Sequence, residues 1–113
     1  MSTRTLGRNN EKKARDILIK DGFDVQMSPM PTRWARQTDL WGLWDLVGVR
    51  HDSIRFVQVK TNRRVHGKNL IPFKDWVCPE NCSKEIWVFF KGIKQPEIRI
   101  IESAPGKPQD RSK

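Results

Sequence analysis

The sequence lacks a hydrophobic stretch long enough to cross a membrane. Its 113 residues contain no run of about 18 apolar residues, the length that a membrane-spanning helix needs. The N-terminal segment is polar and basic and has no apolar stretch typical of a secretory signal. We therefore expect a soluble, intracellular protein of the cytoplasm. A membrane-surface role is not expected, because no basic amphipathic helix or lipidation motif is evident.

Cysteine is scarce, with Cys78 and Cys82 as the only two thiols. Without a secretory context, we do not expect a structural disulfide. A zinc site needs about four ligands, and two thiols with a distant His66 make a poor set. We expect free or partly buried thiols.

Acidic residues are few relative to basic ones. The chain has 13 Asp and Glu residues against 22 Lys and Arg residues, which gives a formal net charge of +9. An excess of this size favours a polyanionic partner, and nucleic acid is the partner we expect. The alternative is charge that only maintains solubility.

An apolar stripe at helical spacing predicts a first helix over residues 9–21. Either of the two asparagines that open this segment can cap it. Glu11 would lie in the first turn, where the helix dipole favours a carboxylate. Gly22 is placed to end the helix.

Five apolar segments that alternate or run continuously predict five strands. The strands are expected at residues 23–27, 43–50, 54–60, 85–90 and 97–101, with a short helix over 70–77. The second and third strands form a hairpin, and the fourth is typical of a strand buried on both faces. We expect a single α/β domain over residues 1–102, with a central mixed sheet of about five strands flanked by helices. Residues 103–113 are expected to be a disordered basic tail.

Polar residues that can carry chemistry occur in the predicted hairpin. Residues i and i+2 of a strand share a face, so Gln58 and Lys60 point one way while Val57 and Val59 point into the core. The hairpin can bring Asp45 beside Gln58. A carboxylate, an amide oxygen and a lysine would then converge at one end of a small sheet.

This set suits the hydrolysis of a phosphodiester. The reaction needs a hard cation to polarise the phosphate and help ionise water, and magnesium takes oxygen ligands. Asp45 and the Gln58 oxygen can bind the cation, and Lys60 can stabilise charge. Glu11 can supply a second carboxylate if the first helix packs across the sheet. Asp39 is a rival for the aspartate role, but Asp45 is preferred because it opens the strand that pairs with the QVK segment.

The segments WDLVGVR and FVQVK resemble the PD-(D/E)XK nuclease superfamily, which has the restriction-endonuclease-like fold. The opening GRNNEKKARDILIKDGFDV, the basic loop and the spacing from Asp45 to QVK are similar to archaeal-type Holliday junction resolvases, which also occur in viruses and phages. The resemblance covers roughly residues 7–101. It implies catalytic roles for Glu11, Asp45, Gln58 and Lys60, of which the first three hold the metal. It also implies a magnesium or manganese requirement, a homodimer, and cutting of two opposed strands of a four-way junction in DNA recombination and repair.

Two positions depart from the family pattern. Trp44 precedes Asp45 where such families loosely keep a proline, and Gln58 stands in place of an acidic residue. Some branches of the superfamily carry QXK at this point, so activity is compatible with Gln58. One negative charge is nevertheless missing, and cation affinity should fall unless Glu11 compensates.

The expected function is therefore that of a magnesium-dependent endonuclease acting on branched DNA. Two alternatives stay open: a repair or restriction-type nuclease of the same fold that cuts duplex, and a DNA-binding module that has lost the chemistry. Side chains in the N-terminal arm, in the 28–38 loop and in the 61–68 loop could hold phosphates, although ordinary solvated charge is the alternative for each. They are Arg4, Arg8, Lys12, Arg33, Arg36, Arg63, Arg64 and Lys68.

Aromatic and branched residues add three further expectations. Trp34 and Trp41 could stack on exposed bases, whereas we expect Trp44 and Trp87 in the core. Asp52 lies in a turn and is expected on the surface. Late apolar residues such as Ile98, Ile100 and Ile101 hint at a dimer contact, or they are simply core.

Overall fold

A computed structural model describes residues 3–29 and 39–101, and within them the elements follow the predicted order. Most of the loop at 28–38 and the whole tail at 103–113 lie outside the described residues, as does Glu102. The elements are α1 (Thr3–Lys20), β1 (Asp24–Met27), β2 (Leu46–Arg50), β3 (Ser53–Thr61), a 3-10 turn (Gly67–Leu70) leading into α2 (Ile71–Asp75), β4 (Cys82–Phe89) and β5 (Glu97–Ile100).

The five strands form one mixed sheet in the order β1-β2-β3-β4-β5. β3 and β4 run parallel, and the other neighbouring strands are antiparallel. The short helices between β3 and β4 make the crossover that a parallel pair requires. The predicted α/β domain with a mixed sheet of about five strands is therefore confirmed.

Helix α1 covers one face of the sheet. Ala14 and Leu18, both fully buried, pack on Val57 and Trp87. Gly48 allows the helix region to approach β2, because a Cβ built there would lie 3.3 Å from Phe23 Cβ. This packing places the middle of α1 over the end of β3.

The opposite face of the sheet is covered by α2 and an aromatic cluster. Trp44, Phe56, Phe73 and Trp76 stack edge-on or tilted, with ring centroids of Phe56 and Trp76 4.7 Å apart. Phe56 shares its face of β3 with Gln58, and that face belongs to a second core and is not a polar surface. The predicted burial of Trp44 and Trp87 is confirmed.

The first helix begins at Thr3, six residues before the predicted start. Gly7 is the weakest helix former in the added turns, and one interior glycine costs about 1 kcal/mol. Asn10 is therefore inside the helix, where its Nδ2 donates to Thr61 Oγ1 at 2.9 Å instead of capping. Glu11 lies in mid-helix and not in the first turn, so its position owes nothing to the helix dipole. The predicted start of the helix and the predicted place of Glu11 are both wrong for the same reason. The polar residues before residue 9 are compatible with a helix, so nothing in the local sequence marks where α1 begins.

Other boundaries shift because tertiary pairing overrides local pattern. β2 begins at Leu46 and not at residue 43, since Trp41 and Gly42 adopt positive φ values of 51° and 72° and turn the chain. β4 starts earlier than predicted because Cys82 already pairs with Ile54. The short helix predicted over 70–77 is a 3-10 turn followed by one turn of α-helix.

Two charged side chains are buried on opposite faces of β4. Lys84 Nζ donates to the carbonyl oxygens of Phe73, Lys74 and Trp76 at 2.7, 3.1 and 2.6 Å. Burial lowers the pKa of Lys84. The ammonium group thus caps the C-terminal end of α2 from beneath, where backbone carbonyls lack helical partners.

Glu85 faces the α1 side and is held by Arg55. The guanidinium group donates to both carboxylate oxygens at 2.8 and 2.7 Å, and Trp87 Nε1 donates to Oε1 at 2.8 Å. Burial alone would raise the pKa of Glu85, but hydrogen bonds from Arg55, Ser83 and Trp87 outweigh it and lower the pKa. The buried charge is therefore fully paired.

Candidate functional site

Asp45 occupies the point where β2 opens beside β3. Its backbone N–H donates to the Val57 carbonyl at 2.9 Å, and its own carbonyl accepts from Ser28 N–H at 2.8 Å. Its side-chain Oδ2 accepts from Val59 N–H at 2.8 Å. The carboxyl group thus accepts the Val59 N–H at the point where the backbone pairing of β2 with β3 ends. This bond fixes one carboxyl oxygen and leaves Oδ1 for other contacts.

Asp45 is only 5% exposed, and its surroundings disfavour its charge. Burial is the largest cause that raises its pKa from 3.8 to about 8, against the opposing hydrogen bond from Val59 N–H. The negative charges of Glu11 and Asp39 raise the pKa further. Burial and the neighbouring carboxylates therefore favour the protonated form of this carboxyl group.

Asp39 makes a side-chain hydrogen bond to Asp45. The turn at Trp41 and Gly42 brings it there, closed by Gly42 N–H donating to the Asp39 carbonyl at 2.9 Å and by a bridge between Leu40 and Trp44. The sequence favoured Asp45 over Asp39, and the structure places both at the same site. The glycine in LWGLW was the signal of a chain reversal that could have shown this.

Glu11 reaches the site from α1 and is held by Arg8. Arg8 Nη1 donates to Glu11 Oε1 at 3.0 Å and to the Ser28 carbonyl at 2.9 Å. Because Ser28 also binds the Asp45 backbone, Glu11 is linked to Asp45 through two intermediates. Arg8 is expected on sequence to hold phosphate, but its largely buried guanidinium group here organises the site.

Gln58 lies directly across the β2–β3 pairing from Asp45. It is 8% exposed, and its Oε1 is buried without a hydrogen-bond partner among the described residues. A buried amide oxygen left unpaired costs about 1–3 kcal/mol. Folded proteins seldom keep such an atom without a ligand or a functional reason.

Lys60 follows on the same face of β3 and is partly exposed. It lines a cavity of about 330 Å³ together with Arg63, Arg64, Asn69 and Phe73. Within the described lining there are three basic side chains and no acidic one. Arg64 is paired with Glu97, so Lys60 and Arg63 supply the positive charge of this pocket, in contrast to the carboxyl groups around Asp45.

The donors around Asp45 fit a hard divalent cation. Carboxylates and a neutral amide oxygen are ligands that magnesium and manganese accept. Within residues 3–29 and 39–101, no three His, Cys, Asp or Glu side chains converge as a metal centre by themselves. The amide of Gln58 is thus needed to complete the set, and its unpaired oxygen is the atom that a cation would satisfy.

Apart from Arg8, the side chains predicted to bind phosphate fall into three groups. Lys12, Arg63 and Lys68 have exposed side chains. Arg64 is exposed, but its guanidinium group binds Glu97 at 2.7 and 2.8 Å and lies 5.0 Å from the Phe90 ring centroid. The structure does not describe the remaining side chains, which are those of Arg4, Arg33 and Arg36.

Of the two tryptophans predicted to stack on bases, Trp41 belongs to the described residues. Trp41 is 65% exposed and lies over Phe56 and Trp76, with ring centroids 5.7 and 5.8 Å away. Trp34 lies outside the described residues. Trp41 is therefore an exposed aromatic ring on the α2 side of the sheet.

The fold and site define an α/β domain with a carboxyl-rich centre at one end of a mixed sheet. No protein-family model matches the chain, and no curated protein matches its sequence. No helix in the described part of the chain is long and apolar enough to span a membrane.

Proposed function

We propose that this chain is a metal-dependent endonuclease that hydrolyses phosphodiester bonds in branched DNA. The proposed substrate is a four-way (Holliday) junction, the cation is magnesium or manganese, and the active form is a homodimer. The observation that carries the proposal is the unpaired, buried amide oxygen of Gln58 beside the destabilised carboxyl group of Asp45. A bound cation would stabilise both groups.

Each site residue has a role that follows from its contacts. Asp45, Glu11 and Gln58 would hold the cation, and Asp39 would add negative charge next to Asp45. Bound magnesium supplies positive charge that polarises the phosphodiester and promotes ionisation of water. Lys60, which follows Gln58 on the same face, would stabilise negative charge that develops on the phosphate. Arg8 positions Glu11 and offsets part of the acidic charge.

The charge of the rest of the molecule supports a polyanionic substrate. The net charge is +9, and Lys12, Arg63 and Lys68 present exposed cations on α1 and the loop beyond Lys60. Such cations bind phosphates without reading sequence. They would orient a strand across the end of β3.

The test compares cleavage of a four-way junction with cleavage of a linear duplex of matching sequence, with magnesium and then manganese. We expect faster cleavage of the junction, and a loss of at least about 100-fold in rate for Asp45→Asn and Lys60→Ala. Asp52→Asn and Lys20→Ala are matched controls, since both residues are exposed and lie away from the site. These controls should cleave like the wild type.

The other outcomes separate the remaining functions. Equal cleavage of junction and duplex would assign a repair or restriction-type activity to the same site. Tight DNA binding without cleavage by either metal would assign a binding module, a reading that the neutral Gln58 favours. In that case Gln58→Glu, which restores the acidic pattern, should increase manganese affinity in calorimetry. Absence of DNA binding at low salt would exclude all three functions.

A further inference from the structure

A second cavity adjoins the candidate site on the other face of the β3 end. It has a volume of about 620 Å³, within the range of small-molecule sites, and lies between α1, the end of β3 and the turn after β4. Asn10 and Thr61, joined by their side-chain hydrogen bond, form part of its wall. Asn10 and Thr61 are the sequence neighbours of Glu11 and Lys60, so the cavity and the candidate site share the end of β3.

The cavity has an apolar interior. Leu6, Phe89, Phe90 and Ile93 line it. Phe89 is buried in the α1 core, whereas Ile93 is 59% exposed at the opening. The Phe89 ring is almost fully buried and the Phe90 ring lies against the Arg64 guanidinium group. Leu6 and Ile93 therefore provide the more accessible apolar surface, which suits the face of a flat ring system.

The rim of the cavity is basic. Lys13 on α1 and Lys91 and Lys94 on the turn are exposed, and none of the described lining residues is Asp or Glu. The cavity at the opposite end of the sheet, of about 500 Å³, differs in this respect. It is lined by Asp21, Asp52 and Glu80 as well as by arginines already paired with carboxylates. The cavity beside the site therefore suits an apolar group that carries negative charge.

Its walls are held in place before any ligand binds. Asn62, at φ 60°, donates its N–H to the Phe89 carbonyl at 2.9 Å, and its Oδ1 accepts from Lys91 N–H at 2.7 Å. Ile93 N–H closes the turn on the Phe90 carbonyl at 3.0 Å. A preorganised cavity binds its ligand at a lower entropic cost.

We propose that this cavity binds an unstacked nucleobase of the substrate strand, with the adjoining phosphate held by Lys13, Lys91 and Lys94. The inference rests on the proposed function, because that function places the strand at Lys60. The strand would pass around the end of β3, so that a base next to the bound phosphate enters the cavity on the α1 side. Unstacking costs least at a branch point, where stacking is already interrupted. The cavity thus provides a physical basis for preferring branched DNA over duplex.

The test measures binding of four-way junctions to the full chain in EDTA, so that no strand is cut. Single abasic sites are placed in turn at the nucleotides that flank the branch. At one position, loss of the base should weaken wild-type binding about tenfold. Ile93→Asp should weaken binding of the intact junction by a similar factor and should no longer respond to that abasic site.

Ile19→Asp is the matched control, because Ile19 is another exposed isoleucine, 52% accessible, and the substitution changes charge equally. It should bind all junctions like the wild type, and both variants should retain the wild-type unfolding transition. Lys91→Ala with Lys94→Ala should also make binding less dependent on salt. The slope of the logarithm of affinity against the logarithm of salt concentration should fall by about 0.9 for each phosphate that these lysines neutralise.

Three results would overturn the inference. The first is that no abasic site changes binding by the wild type. The second is that Ile93→Asp and Ile19→Asp weaken binding equally. The third is that Ile93→Asp binds the junction like the wild type, which would assign the cavity to another acidic partner. Cleavage in magnesium is measured separately. A junction that is bound and cut without any effect of base removal would refute the cavity and leave the proposed function intact.

Discussion

Asp45 and Gln58 each place a polar group in surroundings that destabilise the fold. The amide oxygen of Gln58 is shielded from water and has no partner among the described residues, and burial and neighbouring charge raise the pKa of Asp45 to about 8. The two residues face each other across β2 and β3. A protein retains such costs where function requires them, and one cation would relieve both.

The first prediction concerns Asp45 and pH. Because its folded-state pKa is about 8 and its unfolded value is about 3.8, the folded state needs a proton that the unfolded state has released in this range. The free energy of unfolding of the metal-free protein should therefore fall between about pH 4 and pH 8, with a slope approaching 1.4 kcal/mol per pH unit. Asp45→Asn keeps an acceptor for Val59 N–H and removes the titration. It should flatten this slope and be more stable than the wild type at pH 8.

Urea denaturation at pH 5, 6.5 and 8 in EDTA measures the effect. Asp52→Asn, at an exposed aspartate, controls for a general change in charge. Parallel stability curves for Asp45→Asn and the wild type would contradict the predicted pKa.

At the scale of elements, β4 organises both sides of the sheet through neighbouring residues. Glu85 binds Arg55 on the α1 side, and Lys84 caps α2 on the other side. Helix α2 has only five residues and no side-chain cap at its N-terminus, so it cannot be stable by itself. We expect the position of α2, whose Phe73 packs on Trp44, to depend on the hydrogen bonds from Lys84.

The second prediction is that Lys84→Met destabilises the protein by about 3 kcal/mol. The apolar stem is retained, but three carbonyl groups are left without a charged donor, and hydrogen bonds to charged groups contribute about 1.5–3 kcal/mol each before relaxation. Lys74→Met is the matched control, since Lys74 is exposed on α2 itself. Thermal and urea unfolding followed by tryptophan fluorescence measures both variants. A loss below about 1 kcal/mol for Lys84→Met would show that the ammonium group does not stabilise α2.

At the scale of the whole molecule, the sheet ends in two edges, β1 and β5. All four residues of β5 are exposed, and Ile98 and Ile100 are apolar with 43% and 57% of their surface accessible. Exposed apolar residues on an edge strand provide a template for pairing with a second chain. Ile101, also considered for a dimer contact, is buried and belongs to the core.

The third prediction is that the proposed homodimer pairs through β5. The wild type should sediment at twice the 13.3 kDa chain mass at micromolar concentration, and Ile100→Lys should sediment as one chain. Ile19→Lys, on the exposed face of α1, should leave the dimer intact. A monomeric wild type would contradict paired cuts by two copies, and a dimeric Ile100→Lys would place the interface elsewhere.

Much of the fold follows from local patterns in the sequence. The stripe of Ala14 and Leu18 predicted α1, and the apolar segments 43–50 and 54–60, separated by polar residues 51–53, predicted the β2–β3 hairpin, because each depends on residues near one another in the chain. Boundaries were less predictable. Thr3 starts a helix that no cap signals, and Cys82 joins β4 only because Ile54 lies beside it.

By itself, the sequence determined that Asp45 and Gln58 would meet and that Lys60 would share a face with Gln58, since a short hairpin and the two-residue period of a strand leave little freedom. Only the tertiary structure decided that Asp39 returns to Asp45, that Arg8 ties Glu11 to the site, and that Lys84 caps α2. These contacts join residues on different elements, and packing of the whole chain sets their distances. The tertiary structure also decides that the Gln58 oxygen is buried and unpaired, because burial depends on all the elements that surround a side chain.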